Sequence, residues 1–510
     1  MGISSTPRLP GAMYCWNCAP AMPATRIAAA AMATVRVESR AVASMHPRRR
    51  RFALPSVLPV LLAALVLWVP LPFGSVVPWS HTVLQITACL LLALAAIPTR
   101  RAGNLRPTAL PAACIAGVAL LGALQASTFP GTIVRTISPE HARLQAAAHE
   151  ALAQADLARE VPSSLSLAPE ASRSAALTFA AVAACLLVAA AARERSHRRV
   201  LAFALLASAL FQVLHGTASV AARRGMIWGD VVAGDPARLR GTFVNADHLA
   251  FSLELALPVA FAWGGGALRR ARERIAPERR IALVAGPALV WLTLFLGLAF
   301  TGSRAGLVAA ATGTVAQGLL LALSRRRWCG GVGGILVMLV GIGAVAAIGL
   351  QQGLGRWLAT SQHELAWNDR LRVYGASWEL WHRFPWIGTG LASFRDAFTL
   401  LAPRELTGLA YWHAHNDYLE VLVTAGVVGA VLLAVAAAVV VVRLARGLRD
   451  GERTEHRAAA LAALGALAAV AVHSFFDFGL SLPANAATLA ILVGAALAAR
   501  RSSKREDEEG

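Results

Sequence analysis

Long apolar runs separated by short basic connectors dominate the pattern of this chain. A run of about twenty apolar residues has the length of a helix that crosses a bilayer. Such runs recur near 53–73, 79–97, 108–127, 174–192, 200–220, 247–266, 281–300, 303–323, 330–350, 415–442, 458–475 and 483–499. The pattern predicts an all-α integral membrane protein of about twelve transmembrane helices, with a large loop, 351–414, before the tenth. Several prolines in the first run predict a kinked or partly interfacial helix. Residues 1–46 show neither a sustained apolar period nor a signal-peptide layout. We read them as a disordered or misannotated leader, with Met45 or Met32 as the expected true start. The membrane domain then covers 47–499, and 500–510 forms a charged tail.

The connectors give the spans a direction. Arginine-rich segments stand at 48–51, 99–106, 193–199, 269–280, 324–327, 443–457 and 500–506. With twelve spans, all seven fall on one side, and the positive-inside tendency makes that side cytoplasmic. Both termini are then expected in the cytoplasm, with the chain in a bacterial inner membrane. The outward, periplasmic connectors are 128–173, with a helical Ala/Glu-rich middle, 221–246 and the large 351–414. Two short ones, at 300–306 and 474–482, join them.

Composition supports this layout. The chain is 57% hydrophobic and 15% charged, against about 25% charged for a soluble domain. Its net charge of +20 invites a nucleic-acid partner. The clustering of arginines between apolar runs argues instead for membrane lipids and no nucleic acid. Lys504 is the only lysine, which points to genome composition rather than function. Cys89, Cys114, Cys185 and Cys329 lie in or beside separate apolar runs, and Cys15 and Cys18 form a CxxC with no second pair to complete a zinc site.

Candidate chemistry gathers on the outward connectors. The stretch 411–429, YWHAHNDYLEVLVTAGVVG, places His413 and His415 beside Asn416 and Asp417 where the tenth span begins. Arg240, Arg304, Arg370 and Arg372 lie on the same side, as do His473 and Asp477. Each arginine alone could snorkel to headgroups or cap helix carbonyls. Several together suit an anion, because guanidinium offers permanent bidentate donors to phosphate oxygens. The start of the tenth helix, at His415, is expected to present free N–H groups and a positive field to such an anion. That field would also keep imidazole neutral, as a general base requires. A neutral histidine beside an arginine-bound leaving phosphate suits glycosyl transfer from a lipid pyrophosphate.

No metal or other cofactor is expected. The outward loops offer no DxD pair, and the two histidines of HAH lack clear further ligands. In the large loop, Asn368 or Asp369 is placed to cap a helix that ends before Pro385. Trp367, Trp378, Trp381, Trp386, Phe394, Phe398, Tyr411 and Trp412 crowd that loop. They suit either an interfacial aromatic belt or a lid that stacks on sugars.

His415-Asn416, nine residues, Gly426, two residues and Gly429 resembles the signature of the O-antigen ligase and polymerase superfamily of membrane glycosyltransferases. RLRGTFVNADHLA at 238–250 resembles that family's Arg-Gly-Thr-Phe-x-Asn-x-Asn segment, with Asp247 where Asn is commoner. FTGSRAG at 300–306 is similar to its Ser-Arg-Gly link, and HSFFDFGLSLPANA at 473–486 to its closing segment. The resemblance covers roughly 170–499. It implies metal-independent transfer of an undecaprenyl-diphosphate-linked glycan to an acceptor hydroxyl at the outer face of the inner membrane. His415 is then the implied base, and Arg240 and Arg304 the implied diphosphate ligands. We assign supporting roles to His413, Asn416, Arg370, Asn245 and Glu420. Asp247 is expected to add negative charge near the anion site.

The acceptor distinguishes a ligase (lipid A–core) from a polymerase (another lipid-linked repeat) or a protein ligase (Ser or Thr). A twelve-helix transporter is the rival from another class. Transporters place substrate residues at mid-membrane in broken helices, whereas here ionisable residues sit at the span mouths, with Glu254 the main exception.

Overall fold

The computed structural model describes residues 54–96, 106–157, 161, 163–191, 194–222, 226–231, 237–271, 276–325, 367–403, 406, 411–450 and 454–498. The expected ninth span at 330–350, the start of the large loop, the leader and the tail lie outside them. The helices in chain order are α1 (Leu54–Trp68), α2 (Pro78–Ala96), α3 (Arg106–Gln125), α4 (Gly131–Ile137), α5 (Pro139–Gln154), α6 (Pro169–Ala190), α7 (Arg195–Ala221) and α8 (Ala246–Arg270). Then come α9 (Pro277–Phe300), α10 (Arg304–Arg325), α11 (Trp367–Arg383), α12 (Phe394–Phe398), α13 (Asp417–Asp450), α14 (Thr454–His473) and α15 (Pro483–Ala498). Among the described residues, nine helices are long and apolar enough to cross a membrane, and Val57–Trp68 and Pro483–Ala498 are shorter apolar helices. Eleven of the twelve expected runs therefore fall on helices.

The structure is nearly all-helical. The exception is a small hairpin in the connector after α7, where β1 (Met226–Ile227) pairs antiparallel with β2 (Asp230–Val231). The first run is a short helix containing Pro59, followed by a turn at 69–77 with one 3-10 segment. That fits its proline content. The connector 128–173 carries α4 and α5, as its alanine-rich middle predicts.

Helix α8 is the central post. Nearly every side chain from Leu249 to Ala260 is buried, and α9, α10 and α14 pack on it. A helix that is apolar and buried all round belongs in the interior of a bundle. Helices α2, α3 and α15 pack around α6, and α13 lies against α3. In lipid, close packing and interhelical hydrogen bonds replace the hydrophobic effect between helices. The α10–α14 contact shows both. A Cβ on Gly313 would lie 2.8 Å from the Gly465 carbonyl oxygen. Beside it, buried Gln317 donates to the carbonyls of Pro258 (3.0 Å) and Leu461 (3.1 Å).

The large loop folds around an apolar cluster of its own. Val373, Leu380, Phe384, Phe394, Phe398, Tyr411 and Val423 are buried together, with Leu144 of α5 packed against them. Each buried Phe contributes about 2–3 kcal/mol of apolar burial. This divides the loop aromatics. Phe394, Phe398 and Tyr411 are core, while Trp378, Trp386 and Trp412 are exposed. Neither belt nor lid accounts for the buried three.

Helix α13 departs most from expectation. It begins at Asp417, and it is broken at Gly426, whose backbone has φ 62° and ψ −168°. The broken turn is closed by the segment after α11. Val427 N donates to Pro385 O (2.8 Å), Val428 N to Trp386 O (3.0 Å), and Thr389 N to Val423 O (2.8 Å). Gln125 of α3 donates to Thr424 O (3.0 Å). The short first half, Asp417 to Ala425, is thereby joined to the loop core, and the long second half runs among the spanning helices.

Candidate functional site

Six helix ends meet at one end of the bundle: the starts of α8, α10, α13 and α15 and the finishes of α9 and α14. Leu239 N donates to Phe300 O at 3.0 Å, which ties the strand of chain before α8 to the end of α9. Asp417 N donates to Ser474 O (2.9 Å) and Asp477 O (3.2 Å), tying α13 to the turn after α14. Asn485 Nδ2 of α15 donates to Gly479 O (3.2 Å) and reaches His248 O (3.4 Å).

Asn416 is the cap of α13. Its side-chain oxygen accepts from Tyr418 N (3.0 Å) and Leu419 N (3.1 Å), the usual work of Asn before a first turn. His415, just before it, sits at φ 52°. That left-handed backbone costs about 1–3 kcal/mol for a side chain such as histidine. The hydroxyl of Tyr374 on α11 donates to His415 O at 2.8 Å and helps hold it there.

Both imidazoles of the HAH sequence turn to Phe478. His413 stacks on its face, with centroids 3.9 Å apart, and His415 meets it edge-on at 5.1 Å. His248, from the first turn of α8, meets the same ring at 4.7 Å. His413 Nδ1 also lies 2.6 Å from Glu420 Oε1, and Ala414 N donates to the other oxygen of Glu420 at 3.1 Å. Burial works against the charged form of His413, but the Glu420 carboxylate outweighs it and raises the pKa above 6.5.

Asp477 is the hub of the cluster. It is buried, with His415 Nδ1 at 3.4 Å and His248 Nε2 at 3.9 Å. Burial alone would raise its carboxyl, yet His415, His248 and His473 hold it well below the usual carboxylate range. One turn deeper, His473 Nδ1 lies 2.7 Å from Glu254 Oε1, both side chains fully buried. Asp477 and His473 stand among the outward residues that the sequence singles out, but without an assigned role, and His248 is not among the residues named there. A carboxylate spaced four residues from a histidine at a span's end was the available signal.

The expected free N–H groups at the start of α13 are not free. Asp417 N is held by the turn after α14, and the next two N–H groups go to Asn416 Oδ1. Glu420 N closes the first helical turn on Asn416 O at 3.0 Å. Asp417 and Glu420 also put two acids in that turn. Acids there complement the helix dipole, which leaves the arginines as the candidate anion ligands.

Arg370 is one of them. Its Nη1 donates to Phe476 O at 3.0 Å, one residue from Asp477, and its buried Nε has no hydrogen-bond partner among the described residues. Arg240 is buried, on a stretch pinned by Gln212, whose oxygen accepts from Thr242 N at 2.8 Å. Arg304 is the exposed first residue of α10, at the end of the short link from α9, and the start of α10 is capped by Ser303 Oγ accepting from Gly306 N at 3.1 Å. Arg238 reaches between these two segments, donating to Thr301 O (2.6 Å) and to Asp247 (2.9 Å). Asp247 therefore brings no uncompensated charge. Asn245 caps α8, accepting from Asp247 N at 3.0 Å. Arg372 pairs with Asp369 on α11. Among the described residues, no three His, Cys, Asp or Glu side chains are grouped to hold a metal ion.

The arrangement offers an imidazole close to a buried carboxylate at a cluster of helix ends, with Arg370 bonded to the turn that carries Asp477. No curated protein matches the chain. Residues 288–434 match the family model described as O-antigen ligase (Wzy_C), a range that contains Arg304, Arg370, His413, His415, Asn416 and Glu420. Over that range the chain is similar to the O-antigen ligase family, and among the described residues nine helices are long and apolar enough to cross a membrane.

Proposed function

We propose that this protein transfers a glycan from an undecaprenyl-diphosphate carrier to an acceptor hydroxyl at the periplasmic face of the inner membrane, with His415 as general base. The observation that carries the reading is the 3.4 Å approach of His415 Nδ1 to buried Asp477. A carboxylate on the Nδ1 side favours the tautomer with its proton there, leaving the Nε2 lone pair for the acceptor. The acceptor oxygen attacks the anomeric carbon as its proton passes to Nε2. The bond from that carbon to the diphosphate oxygen breaks, and the configuration inverts. The leaving diphosphate gains negative charge, which Arg240, Arg304 and Arg370 are suited to offset. The outward orientation rests on the arginine-rich connectors opposite this end.

The chemistry as written uses no metal. The test is transfer by the purified protein in proteoliposomes, supplied with an undecaprenyl-diphosphate-linked oligosaccharide and a lipid A–core acceptor, with and without EDTA. His415→Ala is expected to lower turnover by about 10²–10⁴-fold, and Asp477→Asn to lower it with little change in donor KM. EDTA is expected to leave the rate unchanged. Full activity of a correctly inserted His415→Ala protein would sink the reading.

A further inference from the structure

Helix α11 belongs to the large loop, and one of its faces reaches the site. Val373, Ala376 and Leu380 bury one side of it in the loop core. Arg370 and Tyr374, four residues apart, share a different face. That face meets two turns at once. Arg370 Nη1 donates to Phe476 O at 3.0 Å, and the Tyr374 hydroxyl lies 2.8 Å from His415 O and 3.1 Å from Phe475 O. A phenol has one proton to give, so the two carbonyls share it. One belongs to the residue that carries the imidazole. The other stands two residues before Asp477, in the turn that carries the carboxylate.

The backbone at His415 gives this hydroxyl a task. At φ 52° it is left-handed, and a non-glycine residue stays there only where its surroundings over-determine it. The direction of the imidazole follows from that backbone. A second tie joins the same two segments through Asp417. Its N–H donates to Ser474 O, and its carboxylate accepts from Ser474 Oγ (2.8 Å) and Leu480 N (3.3 Å). Those bonds bring the start of α13 to the turn after α14, but none of them touches the His415 carbonyl. The two ties therefore differ in what they hold: Asp417 holds the segments together, and Tyr374 holds the peptide group of His415 itself.

We propose that Tyr374 is a positioning residue for the transfer reaction, which locks the left-handed turn at His415 so that its imidazole faces Asp477. The proposal rests on His415 being the base. It gives the large loop a part in the chemistry: α11, seated on the loop core, sets the base and its carboxylate in register through one hydroxyl.

Tyr374→Phe keeps the ring and removes only the hydroxyl. It is assayed in the full-length protein in proteoliposomes, with an undecaprenyl-diphosphate-linked oligosaccharide and a lipid A–core acceptor. It is expected to lower kcat by about 10–100-fold, the scale of a small misplacement of a reacting group. Donor KM and melting temperature are expected to stay at the wild-type values, because the Asp417 tie remains. In a His415→Ala background the same substitution is expected to cost nothing further, since a residue that acts through His415 has nothing left to position. A second readout needs no substrate. Deuterium uptake by peptides covering 411–417, followed by mass spectrometry, is expected to rise in Tyr374→Phe. Wild-type kcat, an equal loss in both backgrounds, or unchanged uptake would overturn the proposal. Full activity of His415→Ala, by contrast, would overturn the assignment of the base, and the uptake comparison would still read the hold of Tyr374 on that turn.

Discussion

At the scale of single residues, His413 and His415 have different work. His415 faces Asp477 through Nδ1 and holds a strained backbone, whereas His413 is stacked on Phe478 and tied to Glu420. The raised pKa of His413 has a consequence for stability. A histidine whose folded value lies above its unfolded value contributes stability that is full below the unfolded pKa and lost as pH rises through the folded one. Glu420→Gln removes the cause of the increase. The melting temperature of wild type is therefore expected to exceed that of Glu420→Gln most at about pH 6, near the ordinary histidine value, and the gap to close as pH rises. A gap that widens with pH would contradict the pairing. The histidines and arginines of this end were legible in sequence because polar residues stand out where apolar runs stop. Asp477 stood out as well, but its approach to His415 was not legible, because nothing in a linear pattern states which distant side chains meet.

At the scale of elements, α13 shows what periodicity misses. Its apolar run is continuous through Gly426, so hydropathy reads one uninterrupted helix. The break exists because Pro385, Trp386 and Thr389 supply backbone partners from a different segment. Gly426 is needed for two reasons. Its φ and ψ lie where only glycine is at ease, and a Cβ there would come 2.4 Å from Trp386 O. Gly426→Ala is expected to lose at least about 1–3 kcal/mol, read as a lower melting temperature of the purified protein. An unchanged melting temperature would mean that α13 runs through without the break. The loop core has the same lesson. Phe394, Phe398 and Tyr411 are aromatic at a membrane-proximal position, which by composition suits a belt, but their burial comes from contact with α5 and α11.

At the scale of the whole molecule, the apolar runs and the arginine-rich connectors carried most of the architecture. A run of membrane length leaves few alternatives to a spanning helix, and eleven of the expected runs are helices among the described residues. What the runs do not carry is which helix stands at the centre. Burial of α8 on all sides and the meeting of six helix ends bring His248 of α8 to Asp477. The central claim, that this end of the bundle moves a lipid-linked glycan, has a direct test in cells. Lipid-linked glycans from a strain lacking this protein are extracted and sized on a gel, with complementation by wild type and by His415→Ala. The account predicts glycan stranded on its undecaprenyl carrier in the deletion strain, cleared by wild type but not by His415→Ala. Long stranded chains with bare surface acceptor identify a ligase, and single stranded repeats a polymerase. Full clearance by His415→Ala would contradict the account.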